Sequence, residues 1–150
     1  MNDEDPRFLK MALEEAKRAA EEGEVPVGAI LVLEGEIIGR GRNRPIALSD
    51  PTAHAEILAL REGAIGAKNY RLPGGTLYVT VEPYVMCTNA LLQTRVRRLV
   101  FGADDPKAGA VRSLYFLLED ERFNHRVEVI SGILQDECRE LLVRFFQERR

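Results

Sequence analysis

The sequence is short of several things, and each shortage removes a class of protein. Only two cysteines, Cys87 and Cys138, occur in 150 residues. That is too few for a disulfide framework, so a reducing cytoplasm is the expected compartment. No apolar run approaches the roughly 20 residues that span a bilayer. The acidic opening MNDEDPRF is unlike the basic start of a signal peptide, and no membrane association is expected. Positive charge is not in excess: 21 Lys and Arg against 24 Asp and Glu leave a net charge of -3. This argues against general nucleic-acid affinity but permits a local basic patch, because steering depends on where charge sits. Internal repeats, low-complexity segments and long linkers are missing as well.

What is present reads as one folded domain over residues 1–150. The hydrophobic fraction of 45% and charged fraction of 30% are those of a soluble globular chain long enough for a sizeable core. A first helix is marked by Asp5 as cap, Pro6 at the first helical position and Gly23 as terminator. Between them Leu9, Ala12, Leu13, Ala16 and Ala20 recur at helical spacing. Ala29 to Leu33 and Glu36 to Ile38 read as a hairpin turning at Glu34-Gly35. Arg44 to Pro51 reads as loop and Thr52 to Ala64 as helix. TLYVTV after Gly74-Gly75 is a strong strand, followed by a helix from near Tyr84 to Thr94 and a strand RRLVFG. A short helix near Ser113 to Leu118, a strand from Arg126 to Ile130 and a helix from Leu134 to the end complete the chain. The last helix carries Leu134, Cys138, Leu141, Leu142, Phe145 and Phe146 on its apolar face. Strands alternating with helices predict a three-layer α/β/α sandwich, with helices on both faces of a mixed sheet. The expected topology is a hairpin first and parallel crossovers after.

Two helix starts carry the chemistry. DPTAHAE places His54 and Glu56 two residues apart, and VEPYVMC places Cys87 in the first turn of the next helix. A helix N-terminus favours anions, which prepares a thiol as a metal ligand. If the two starts face each other across neighbouring strands, His54 and Cys87 can share a zinc ion, with Glu56 beside it as proton carrier.

Six stretches in order, EVPVGAILV, GRNRPIALSDPTAHAE, TLYVTVEP with VMC, VFGADDPKAGAVRSL, NHRVEV and DECRELLVRFF, resemble the bacterial tRNA-specific adenosine deaminases. Those enzymes share the cytidine-deaminase-like fold, and the likeness covers nearly the whole chain. NHRVEV and the Phe-Phe terminal helix favour the tRNA enzyme over guanine or cytosine deaminases. The resemblance implies that His54 and Cys87 are zinc ligands and that Glu56 shuttles the proton between activated water and the purine. It implies base contacts from Asn43 and the backbone near Ala55, with Val27 lining the pocket and Asp105 and Lys107 beside the RNA backbone. It implies that Phe145, Arg149 and Arg150 touch the anticodon stem-loop of tRNA, and that the enzyme is a homodimer. The reaction implied is hydrolytic: adenosine becomes inosine at the wobble position and ammonia leaves.

The sequence departs from this family at Tyr84, where the second cysteine ligand is expected. A phenol has a pKa near ~10 and stays neutral unless a metal deprotonates it. Its oxygen also lies a whole ring further from the backbone than a cysteine sulfur. Cys138 gives no replacement, because the resemblance assigns it no metal role. The expectation is weak or absent zinc and strongly reduced deamination. A catalytically silent tRNA-binding or partner-binding member is therefore an alternative, and a free nucleobase deaminase a further one. Each residue also has a plainer reading. His54 can be structural, Glu56 a solvated helix carboxylate, Cys87 a small buried hydrophobe and Asn43 a turn-former. The two phenylalanines can be core, and Arg149 and Arg150 solvated terminal charges.

Overall fold

Alternation along the strands decides which helix covers which side of the sheet. The protein, a computed structural model describing residues 2–149, has α1 at Asp5–Glu21, β1 at Gly28–Leu33, β2 at Glu36–Arg42, α2 at Pro45–Leu48 and α3 at Ala55–Ala67. It continues through β3 at Thr76–Val81, α4 at Val85–Thr94, β4 at Arg98–Ala103, a 3-10 turn at Leu117–Glu119, β5 at Glu128–Ser131 and α5 at Gln135–Glu148. The strands lie in the order β2-β1-β3-β4-β5. β1 is antiparallel to both β2 and β3, while β3, β4 and β5 run parallel. The hairpin followed by parallel crossovers is thus the topology the sequence predicts.

Ile30, Val32, Tyr78 and Val100 pack against Phe8, Leu9 and Ala12 of α1. Their neighbours Leu31, Leu77, Val79, Leu99 and Phe101 face the opposite way, onto Ala59 and Leu60 of α3 and Leu91 and Leu92 of α4. α5 joins α1 on its side through Cys138, which packs with Leu13 and Ala103. Both faces are therefore apolar, and the three central strands are buried along almost their whole length. Fully burying a side chain such as Leu or Phe contributes about 1.5–3 kcal/mol. Phe101→Ala in the larger cluster would cost about 3–5 kcal/mol.

Several boundaries differ from the sequence reading, each for a local reason. Asp5 is not a cap. It lies inside the helix, and its carboxylate turns inward to accept from the Tyr78 hydroxyl at 2.8 Å and from Arg98 at 2.8 and 3.2 Å. β2 runs on past Ile38 to Arg42 because Gly39 and Gly41 let α3 press on it. A Cβ at Gly39 would lie 2.2 Å from the Ala59 carbonyl oxygen, and one at Gly41 2.1 Å from that of Ala55. Within the expected loop, α2 forms because Glu24 accepts from the Ile46 and Ala47 N–H groups at 3.2 and 2.8 Å. α3 starts at Ala55 rather than Thr52, since Asp50 holds the Thr52 N–H at 2.8 Å in a side-chain turn. The helix expected near Ser113 shrinks to one 3-10 turn, because the N–H groups of Val111, Arg112 and Ser113 all donate to Glu82. β5 begins at Glu128 rather than Arg126.

Candidate active site

The α3 and α4 starts meet on one face of the sheet. His54 is the extended residue before α3, and Glu56 sits in that helix's first turn. Tyr84 is the extended residue before α4, with Cys87 one turn further. The close approach of α3 to β2 sets the first start, and the emergence of the chain from β3 sets the second. His54 Nδ1 and Cys87 Sγ stand 3.6 Å apart. Candidate ligand atoms of His54, Glu56 and Cys87 all lie within 4.8 Å of one another.

Burial governs the electrostatics here. It pushes Glu56 up to about 7, only partly offset by the residue's own N–H and by Cys87. It pushes the Cys87 thiol far above its ordinary value, with the Glu56 charge adding to the effect. It lowers His54, keeping the imidazole neutral and able to donate a lone pair. A buried carboxyl raised toward neutrality beside an imidazole and a thiol is the arrangement that proton transfer at a metal would need.

These residues fit zinc on two sides. Tetrahedral Zn–N and Zn–S bonds of about 2.0 and 2.3 Å place neighbouring nitrogen and sulfur ligands roughly 3.5 Å apart, matching the His54–Cys87 spacing. The third side differs. The Tyr84 ring stands edge-on to His54 with centroids 5.7 Å apart. Burial first, then the nearby Asp105 carboxylate, push the phenol up to about 12. Tyr84 thus brings no thiolate, and its phenol is held in the neutral form.

A cleft of about 530 Å³ opens over this cluster. Its walls include Val27, Asn43, His54, Glu56, Asp105 and Lys107, so most residues singled out in the sequence come together. Asn43 lies there with its Oδ1 accepting from the Ala55 N–H at 2.8 Å. This leaves the Asn43 amide NH2 for a ligand and commits the Ala55 N–H within the protein. The terminal helix is shifted in phase from expectation. Phe145 is buried, at 7% exposure, and Arg149 lies over its ring at 4.1 Å. Phe146, 49% exposed, lines the cleft instead. Arg150 lies outside the described residues.

Sequence reasoning missed Arg139, Leu142, Val143 and Phe146 as cleft residues. Their spacing of three, four and seven marks one helical stripe, while Cys138, Leu141 and Phe145 mark the adjoining packed one. It also missed Glu82, whose carboxylate is 1% exposed. Burial pulls this group's pKa upward, but the Arg112 N–H, the Ser113 hydroxyl and the N–H groups of Asp105 and Val111 outweigh it. The result is a carboxyl held below the usual glutamate range. A glutamate within an otherwise apolar strand end was the available signal.

Similarity searches agree with this arrangement. The family model for the cytidine and deoxycytidylate deaminase zinc-binding region matches residues 2–103. The tRNA-specific adenosine deaminase of Haemophilus influenzae is 52% identical over 147 residues, covering 97% of this chain and 85% of that protein. The one from Bacillus subtilis is 48% identical over 147 residues, covering 98% and 91%. A structure from studies of A-to-I editing by tRNA:A34 deaminases superposes with a TM-score of 0.88 at 46% identity, covering 91% of this chain and 99% of that one. A guanine deaminase from Nitrosomonas europaea is more distant, at 25% identity and a TM-score of 0.77, covering 93% and 83%. With the His54–Glu56–Cys87 cluster at the meeting of two helix starts, the chain belongs to the tRNA-specific adenosine deaminase family, within the cytidine and deoxycytidylate deaminases.

Proposed function

We propose that this protein deaminates adenosine to inosine at the wobble position of a tRNA anticodon, with zinc held weakly because Tyr84 stands where a thiolate is expected. The observation that carries the reading is the cleft that joins His54, Glu56 and Cys87 to Asn43 and Lys107. Zinc bound by His54 and Cys87 would supply Lewis acidity, bringing the pKa of water from about 15.7 towards ~7. Glu56 holds and moves the proton. Its buried place beside His54 and Cys87 suits it to take a proton from water and pass it to the purine ring nitrogen. Asn43 offers its amide to the base, Val27 and Phe146 bracket the ring, and Lys107 faces the RNA backbone.

Incubating the protein with the anticodon stem-loop of an arginine tRNA and added zinc tests this reading. Inosine formation supports it. Binding without conversion favours the second reading, a silent tRNA-binding member, to which Tyr84 gives its specific support. Ammonia release from a free base, but none from RNA, would sink both.

A homodimer is part of the proposal. Ile46, Leu48, Val85, Leu114, Tyr115 and Phe116 are exposed apolar residues that a second copy would cover. Light scattering checks it, with a monomer as the contrary outcome. A cytoplasmic setting is also part of the proposal, supported by the likeness to tRNA-specific adenosine deaminases; no helix among the described residues is long and apolar enough to cross a membrane.

A further inference from the structure

We infer that Glu82 is the positioning residue that fastens the loop 104–113 to the metal-site helix start, and so sets Lys107 for phosphate contact. The inference rests on the RNA reading above. Glu82 lies two residues before Tyr84, at the point where the chain leaves β3 for α4. One carboxylate oxygen accepts from the Asp105 N–H at 3.0 Å and from the Ser113 hydroxyl. The other accepts from the N–H groups of Val111, Arg112 and Ser113 at 3.0, 2.8 and 3.0 Å. Four backbone groups and one hydroxyl from both ends of a single loop therefore converge on one buried side chain.

This is more than a solvated turn needs. The loop has local bracing of its own: Asp105 Oδ1 accepts from the Lys107 and Ala108 N–H groups at 3.1 and 3.2 Å. That bracing fixes the turn's shape but not its place on the protein. Glu82 gives it a place, assisted by the Ala110 N–H donating to the Pro83 carbonyl at 2.9 Å. Gly109 closes the seat. A Cβ there would lie 2.2–2.4 Å from the Glu82 carboxyl atoms, a distance no real contact tolerates. The carboxylate and a loop residue without a side chain are thus matched to each other. The loop so held contributes Asp105 and Lys107 to the cleft rim, facing Tyr84. Glu82 touches no substrate; it acts through the loop.

The test compares wild type with Glu82→Gln, Gly109→Ala and Lys107→Gln. Anticodon stem-loop binding is followed by anisotropy over a range of salt, with amide exchange measured on the free proteins. Loss of the fastening should let the amides of residues 105 and 111–113 exchange roughly tenfold or more faster. Glu82→Gln and Gly109→Ala should each flatten the log K against log salt slope by about one, the signature of one lost phosphate contact. Lys107→Gln should do the same, and combining it with Glu82→Gln should flatten the slope no further. A purely structural defect would not move the salt slope in this way. Multiplying effects in the double variant, or an unchanged slope in both single loop variants, overturns the proposal. Should Glu82→Gln fail to fold, Gly109→Ala carries the test from the loop side. A wild type that does not bind the stem-loop sinks the RNA reading and the phosphate role resting on it. A wild type that binds, with Gly109→Ala unchanged in slope and exchange, sinks the role of Glu82 alone.

Discussion

Asp5 and Glu56 are both carboxylates removed from water, at 0% and 4% exposure, yet the protein uses them in opposite ways. Burial raises the proton affinity of each. At Asp5 the Arg98 guanidinium, the Asn2 N–H and the Tyr78 hydroxyl outweigh burial and keep the group below the ordinary carboxylate range. At Glu56 no cation answers, and burial wins. A buried charge with a full set of partners holds elements together. One left short of partners is available for chemistry.

The contrast can be broken most forcefully at Arg98. Arg98→Met strands the Asp5 charge, and leaving a buried ion without its partner typically costs about 3–5 kcal/mol. Urea denaturation should register that loss, and a change within 1 kcal/mol, about the value of an exposed pair, would mean the ion pair is ornamental. The next largest effect is at the metal. Tyr84→Cys gives Glu56 a complete cation site beside it, and zinc affinity should rise by about a hundredfold, or about 2.7 kcal/mol. Metal analysis after competition with a chelator checks it, and stem-loop deamination should rise with it. One tightly held zinc per chain in the unsubstituted protein would refute the weak-zinc expectation.

Glu56→Gln sharpens the comparison without metal. The folded value near 7 lies above the ordinary 4.5, so the folded chain binds the extra proton, and stability falls as pH rises between the two. The metal-free variant should therefore be more stable than wild type at pH 8, by on the order of 1–3 kcal/mol, with no gain near pH 4. Equal stability at both pH values would contradict a buried, unanswered charge. The smallest effect concerns Asp5. Its folded pKa lies below the ordinary 3.8, so its contribution is present above that value and fades as pH falls through the lower one. Acid unfolding of Asp5→Asn should be shallower than that of wild type in that window, and identical profiles would remove Asp5 from the account.

The sequence made the candidate-site side of this contrast legible and left the structural side hidden. His54, Glu56 and Cys87 could be picked out as candidates because short spacings at two helix starts bring them together, their ligand atoms lying within 4.8 Å of one another. Asp5 looked like a cap, since nothing near it in sequence discloses Arg98, 93 residues away. Glu82 was visible only as a glutamate beside a proline, for its partners come from a loop about 30 residues on. Phe145 and Phe146 could not be told apart without the helix's rotation about its axis. Short-range periodicity fixes which residues share a face, but long-range pairing decides which face meets the sheet.

That span of 93 residues also bears on how the chain comes into being. During synthesis α1 emerges before the strands it packs on, with an apolar stripe of Phe8, Leu9, Ala12 and Ala16 and an acid awaiting a partner that does not yet exist. The arginine that receives it is made only after β1, β2, α3, β3 and α4. The first helix can therefore bury its apolar face on β1 and β3 before Arg98 exists, while its acid stays unanswered until β4 has been made.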